Sequence, residues 1–175
     1  SLPKYLRRAQ RVEIGLFEAD WRGFGGLIGY QGEDCYMSVN PVIDWTQAEE
    51  QVRGDLAFLA EVLGDMLQEA DQALGLIRNG IETRQFLVCM KAAHQLKGSA
   101  SYLYCGDVLR CASIMQDLGN EGATASNTAE GTDRSWNGNP PRDTNAIWND
   151  ILQIHDSLIE AVNNLRNEVS AKFQG

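Results

Sequence analysis

The chain has 175 residues, 43% of them hydrophobic, and a formal net charge of −9 with a pI near 4.7. That length accommodates one domain with a core of ordinary size, and the acidic balance argues against nucleic acid or an anionic membrane as the main partner, because phosphate surfaces need clustered Lys and Arg. No apolar run approaches the roughly 20 residues that span a bilayer, and the N-terminus lacks the apolar segment of a signal peptide, so the expected compartment is the cytoplasm, with the nucleus also open to it.

In chain order, residues 1–40 read as an N-terminal extension. It comprises a short basic helix over 3–14, with Lys4, Arg7, Arg8 and Arg11, and then an irregular segment rich in Gly and aromatic residues. Asn40-Pro41 marks the start of the regular domain, 41–175, since the residue before proline is pushed out of helical conformation. From Trp45 to Asn79 apolar residues recur at helical spacing, as Val52, Leu56, Leu59, Leu63, Met66, Leu67, Ala70, Leu74 and Ile77. Asp44 or Thr46 can cap the entry, a break near Gly54 separates a short helix from a long one, and Asn79-Gly80 reads as the stop. The next predicted helix covers Glu82 to Tyr104 with Thr83 as a candidate cap. A further one covers Asp107 to Leu118, turning Val108, Leu109, Ala112, Met115 and Leu118 inward.

The stretch GNEGATASNTAEGTDRSWNGNPPRDTN, Gly119 to Asn145, is nearly devoid of apolar residues and predicts a long loop. After it, Ile147, Ile151, Ile154, Leu158, Val162, Leu165 and Val169 form a stripe at three-and-four spacing, with Asp143 or Thr144 as cap. No segment alternates with period two. The fold expected is all-α, an antiparallel four-helix bundle preceded by the N-terminal extension.

One of only two histidines lies in KAAHQLKGSA, Lys91 to Ala100. At about 100° per residue, Phe86, Cys89, Ala92, Ala93, Leu96, Ala100 and Leu103 share one face of this helix, which leaves His94 on the opposite side. Beside it fall Leu87, Met90, Gly98, Ser101 and Cys105, with Lys97 one turn on. A glycine in mid-helix costs about 1 kcal/mol against alanine, and what it offers is close approach of another surface to the imidazole. Imidazole is a good nucleophile, partly neutral near pH 7, and a neighbouring ammonium can neutralise an anion placed on it. A metal site is not expected, because no second histidine or carboxylate stands at i±4 and Cys35, Cys89, Cys105 and Cys111 form no CxxC pair. Reduced, buried thiols are the expectation. A serine nucleophile, Ser99 or Ser101, lacks the strand-turn-helix elbow that would expose it.

His94-Gln95-Leu96-Lys97-Gly98-Ser99 resembles the H-x-L-K-G-S signature of the histidine-containing phosphotransfer domain family, on the expected element of a helical bundle. Val42-Ile43-Asp44-Trp45-Thr46 and Gln116-Asp117-Leu118-Gly119 are similar to segments of its eukaryotic, fungal-type phosphorelay intermediaries. Tyr102-Leu103-Tyr104-Cys105 departs from that pattern, because many members carry Gly and a small residue there. The resemblance implies that His94 accepts a phosphoryl group from the receiver-domain aspartate of a hybrid histidine kinase and passes it to a response regulator. By the same resemblance Lys97 steadies the phosphate and Gln116 hydrogen-bonds at or near the imidazole, while Gly98, Ser101, Leu87, Met90 and Gln95 form the docking surface. It also implies a monomeric carrier with no nucleotide site and no bound cofactor, the Mg²⁺ belonging to the partner receiver domain. A domain excised from a larger hybrid kinase, and a helical adaptor whose histidine is never phosphorylated, are the alternatives.

Overall fold

The computed structural model describes residues 41–129 and 142–173. Five helices follow one another: α1 Trp45–Gln51, α2 Leu56–Glu82, α3 Phe86–Tyr102, α4 Gly106–Ala129 and α5 Thr144–Phe173, with no strand among the described residues. The predicted helix over 3–14 and the rest of the extension lie outside the described residues. The four long helices close a ring in which α2 packs on α3, α3 on α4, α4 on α5 and α5 back on α2. Connections as short as those between α2 and α3 and between α3 and α4 make neighbouring helices antiparallel. The bundle is thus all-α, and no helix of it is long and apolar enough to cross a membrane.

The core is the set of inward stripes. Leu59, Leu63, Met66 and Ile77 of α2, Leu96 of α3, Met115 of α4, and Ile147, Ile151, Leu158 and Leu165 of α5 are all fully buried. Burying one such side chain contributes about 1.5–3 kcal/mol. Leu56, expected inside, is instead 45% exposed at the first position of α2. Trp148, His155 and Ala161, which widen the stripe of α5, are buried without having been expected there.

Side-chain caps start two of the helices. Asp44 Oδ1 accepts from Gln47 N at 3.1 Å and Asp55 Oδ1 from Phe58 N at 3.0 Å, each cap worth about 1 kcal/mol. Three helices end on a residue in left-handed conformation that is not glycine: Arg53 (φ 55°), Arg84 (φ 53°) and Tyr104 (φ 55°). Each end carries the same pair of closing bonds, as in Gln85 N to Gly80 O at 2.8 Å and Arg84 N to Ile81 O at 3.2 Å.

These ends correct the sequence-based boundaries. Helix α2 passes through Asn79-Gly80 to Glu82, and Thr83 closes it, its hydroxyl donating back to Asn79 O at 2.7 Å, while Gln85 is the residue that precedes α3. Gly80 is buried against α3, where a Cβ would come 2.7 Å from Cys89 Sγ. Residues 119–129, expected to begin a loop, are instead the last turns of α4, and residues 130–141 of the expected loop lie outside the described residues. That helix continues to Ala129 with Gly119 and Gly122 facing α3: a Cβ at Gly119 would come 2.8 Å from Met90 Cβ, and one at Gly122 would clash with the Phe86 ring. Arg142 pairs with Glu121 of α4 at 3.1 Å and with Asp150 of α5, and Asp143 stands at the start of α5. Phe86 in turn stacks on Trp148, ring centroids 4.0 Å apart, fixing the start of α3 against α5.

Candidate functional site

Helix α3 buries Phe86, Cys89, Ala92, Ala93, Leu96 and Ala100 and turns His94 to solvent. The exposed imidazole faces Gln116 of α4, whose Oε1 lies 3.4 Å from His94 Nδ1, a long hydrogen bond that favours one orientation of the ring. Helix α4 can deliver that side chain because Gly119 and Gly122 let its following turns lie directly on α3. Two residues 22 apart in sequence are thus brought together by glycine-mediated packing.

Around the ring the structure sorts the remaining candidates. Gly98, one turn on from His94, is exposed, and a Cβ there would meet nothing within 4 Å. Leu87, two turns before His94, is 53% exposed, as are Leu56, Leu76 and Leu152 to nearly the same degree on other helices, so its place beside His94 rather than its exposure makes it a docking candidate. Lys97, Met90 and Ser101 are half-buried on the flanks, Met90 because its Cβ abuts Gly119. Cys105 does not belong to this face: α3 ends at Tyr102, the chain turns at Tyr104, and the Cys105 thiol is fully buried beside Met66 Sδ at 3.9 Å.

Gln95 is also tied elsewhere. Its amide donates to Glu69 Oε1 on α2 at 2.9 Å, and the other oxygen of that carboxylate accepts from Ser99 Oγ at 2.7 Å. Ser99 is only 1% exposed, so this is a buried hydroxyl given a charged acceptor. Glu69 was not singled out from the sequence. Its signal was an acidic residue set among the inward positions Met66, Ala70 and Ala73 of α2.

Among the described residues the thiols offer no competing nucleophile. Burial pushes the Cys89 thiol up to about 11 and the Cys105 thiol up to about 12, and it raises Cys111 as well. All three stay protonated and unreactive near neutrality. Among the described residues no group of three or more His, Cys, Asp or Glu side chains could hold a metal ion. What the face presents is therefore one oriented imidazole beside a lysine, a bare backbone turn and an exposed leucine.

The family model described as Hpt domain matches residues 61–168, more than half of the chain, and the chain belongs to that family. The match contains α3, most of α2 and α5, and the whole of α4. No curated protein matches the chain. Membership makes the chain a histidine phosphotransfer domain of a phosphorelay, a carrier that engages receiver domains rather than an enzyme in the ordinary sense.

Proposed function

We propose that this member of the Hpt family is a phosphorelay intermediary in which His94 takes a phosphoryl group from the receiver-domain aspartate of a hybrid sensor histidine kinase and passes it to the aspartate of a response regulator. The observation that carries the reading is the exposed His94 ring, braced by Gln116 at 3.4 Å and set beside the open space over Gly98.

With Nδ1–H donating to the Gln116 carbonyl oxygen, the lone pair lies on Nε2. In transfer to the protein that lone pair forms the N–P bond as the P–O bond to the receiver aspartate breaks, and the bonding electrons leave on the carboxylate oxygen. No proton has to move: the ring keeps Nδ1–H, and the positive charge it acquires is stabilised by the Gln116 oxygen. Onward transfer is the same step reversed, with the second aspartate as nucleophile. The loose, charged phosphoryl group asks for position and countercharge more than for acid or base. Lys97 contributes countercharge from this side, and the receiver brings Mg²⁺ and its own acidic pocket. Gly98 leaves room for the receiver backbone, while Leu87, Met90 and Ser101 supply the rim on which it docks.

The segment Val42–Thr46 supports a eukaryotic, fungal-type member. There Asp44 caps α1, and Trp45 meets Phe173 of α5 edge-on at 6.0 Å. A carrier of this kind acts as a monomer, in the cytoplasm or, for a nuclear regulator, in the nucleus. The test is transfer from a phosphorylated receiver domain with Mg²⁺ to the wild-type protein and to His94→Gln, scored for acid-labile, base-stable phosphate. Label on wild type alone is the expected result; label on both, or on neither with several receivers, contradicts the assignment.

A further inference from the structure

We infer that Glu69 is a positioning residue for phosphotransfer, its carboxylate fixing through Gln95 and Ser99 the rotation of the α3 turn that carries His94, Lys97 and Gly98. The inference rests on the reading of His94 as phosphoacceptor and adds to it a residue on a different helix.

The two oxygens of Glu69 are divided between donors one helical turn apart, Gln95 Nε2 at 2.9 Å and Ser99 Oγ at 2.7 Å. These donors bracket Gly98, the residue at which α3 has least intrinsic helix preference. The inward residues of this stretch are Leu96 with Ala92, Ala93 and Ala100, short side chains that bring α3 close to its neighbours, and the polar bonds to α2 add a directional restraint to that packing. Without the carboxylate, Ser99 keeps only a long contact to Gln95 O, 3.5 Å away within its own helix. That bond restrains nothing relative to α2. Two charge-assisted bonds from a neighbouring helix, one of them to a side chain that is 1% exposed, are a stiff restraint by comparison.

A small rotation is enough to affect transfer. At a side-chain radius of about 6 Å, turning α3 by about 10° carries the imidazole about 1 Å sideways, and misplacing a reacting group by about 1 Å costs on the order of 100-fold in rate. Gln116 alone does not prevent this, because it restrains the ring rather than the helix.

The test compares wild type with Glu69→Ala, Glu69→Gln, Ser99→Ala and the Glu69→Ala/Ser99→Ala pair in two assays. One is transfer from a phosphorylated receiver domain with Mg²⁺. The other is direct labelling of His94 by phosphoramidate, a small donor that needs no docked partner and so does not sense where the ring sits in the docking face. Glu69→Ala is expected to slow receiver transfer about 10-fold while phosphoramidate labelling and helix content stay near wild type. Glu69→Gln keeps one acceptor oxygen and the side-chain shape but not the charge, and is expected to fall between Glu69→Ala and wild type. Ser99→Ala is expected to add little to Glu69→Ala, as two members of one restraint should.

Receiver transfer by Glu69→Ala at the wild-type rate overturns the inference. Equal loss in both assays also overturns it, by making the effect a general loosening, and so does receiver transfer by Glu69→Gln slower than by Glu69→Ala, which has no restraint left to lose. If wild type is labelled by neither donor, the phosphoacceptor reading fails and the inference falls with it; normal labelling of wild type with unimpaired variants removes Glu69 alone.

Discussion

The outer face of α3 and its inner seams use the same residue types to opposite ends. Gly98 stands in mid-helix with no atom within 4 Å of the place a Cβ would take, whereas Gly119, Gly122 and Gly80 lie in seams where that place is already filled by Met90, Phe86 and Cys89. The two histidines repeat the contrast. His94 is exposed and faces Gln116, while His155 on α5 is 6% exposed with no hydrogen-bond partner for Nε2 among the described residues. Space kept open inside a bundle serves packing; space kept open toward solvent serves a partner. The contrast separates His94 from His155, and what sets Gly98 apart from Gly64 and Gly75, which are equally open on α2, is its place one turn from His94.

Substitutions that exchange the two situations should break the contrast. The largest effect is expected from Gly98→Gln, which puts a long side chain into the open space: transfer from a receiver falls about 100-fold, as for a docked group displaced by about 1 Å, while the circular dichroism spectrum stays that of the wild type. Next comes Gly122→Ala. One methyl group there meets a Phe86 ring backed by Trp148, and overpacking at about 1–3 kcal/mol outweighs the roughly 1 kcal/mol that alanine brings to a helix. Urea unfolding should show a net loss of stability, and an unchanged or raised midpoint would mean that the seam yields more easily than its geometry implies. Gly98→Ala, with the same chemistry in the open position, should instead raise stability by up to about 1 kcal/mol.

The histidine contrast sharpens into a pH dependence. Burial lowers the His155 pKa from 6.5, with Asp156 pulling it back up, Arg78 lowering it further and the Leu74 backbone raising it. The folded state thus binds its proton less readily than the unfolded one, so the stability tied to neutral His155 is fully present above pH 6.5 and is lost as pH falls below 6.5 toward the folded value. Replacing His155 by a neutral residue of similar size should flatten that part of the stability–pH curve, and an unchanged slope would assign it to other groups.

Most of the bundle was legible because helical periodicity marks inward positions directly. The row Phe86, Cys89, Ala92, Ala93, Leu96, Ala100 is buried as its spacing requires, and His94 opposite it is exposed. The two misplaced helix boundaries share one cause. Gly80 and Gly119 read as stop signals in the sequence, but a glycine that ends a helix and one that lets two helices touch look alike until the neighbouring helix is known. The real ends lie at Arg53, Arg84 and Tyr104, residues with no special preference for left-handed backbone, where closing bonds and packing impose it. Glu69 was missed for a related reason. Its partners are 26 and 30 residues away on another helix, and nothing local to α2 says what its carboxylate will meet.

The most direct test of the account is to locate the phosphate itself. Nitrogen-15-labelled protein, phosphorylated by a receiver domain with Mg²⁺, should show by NMR a single phosphorylated imidazole, that of His94, bonded to phosphorus at Nε2 with the proton still on Nδ1. Phosphate at His155, at Nδ1 of His94, or on any residue other than histidine would contradict it.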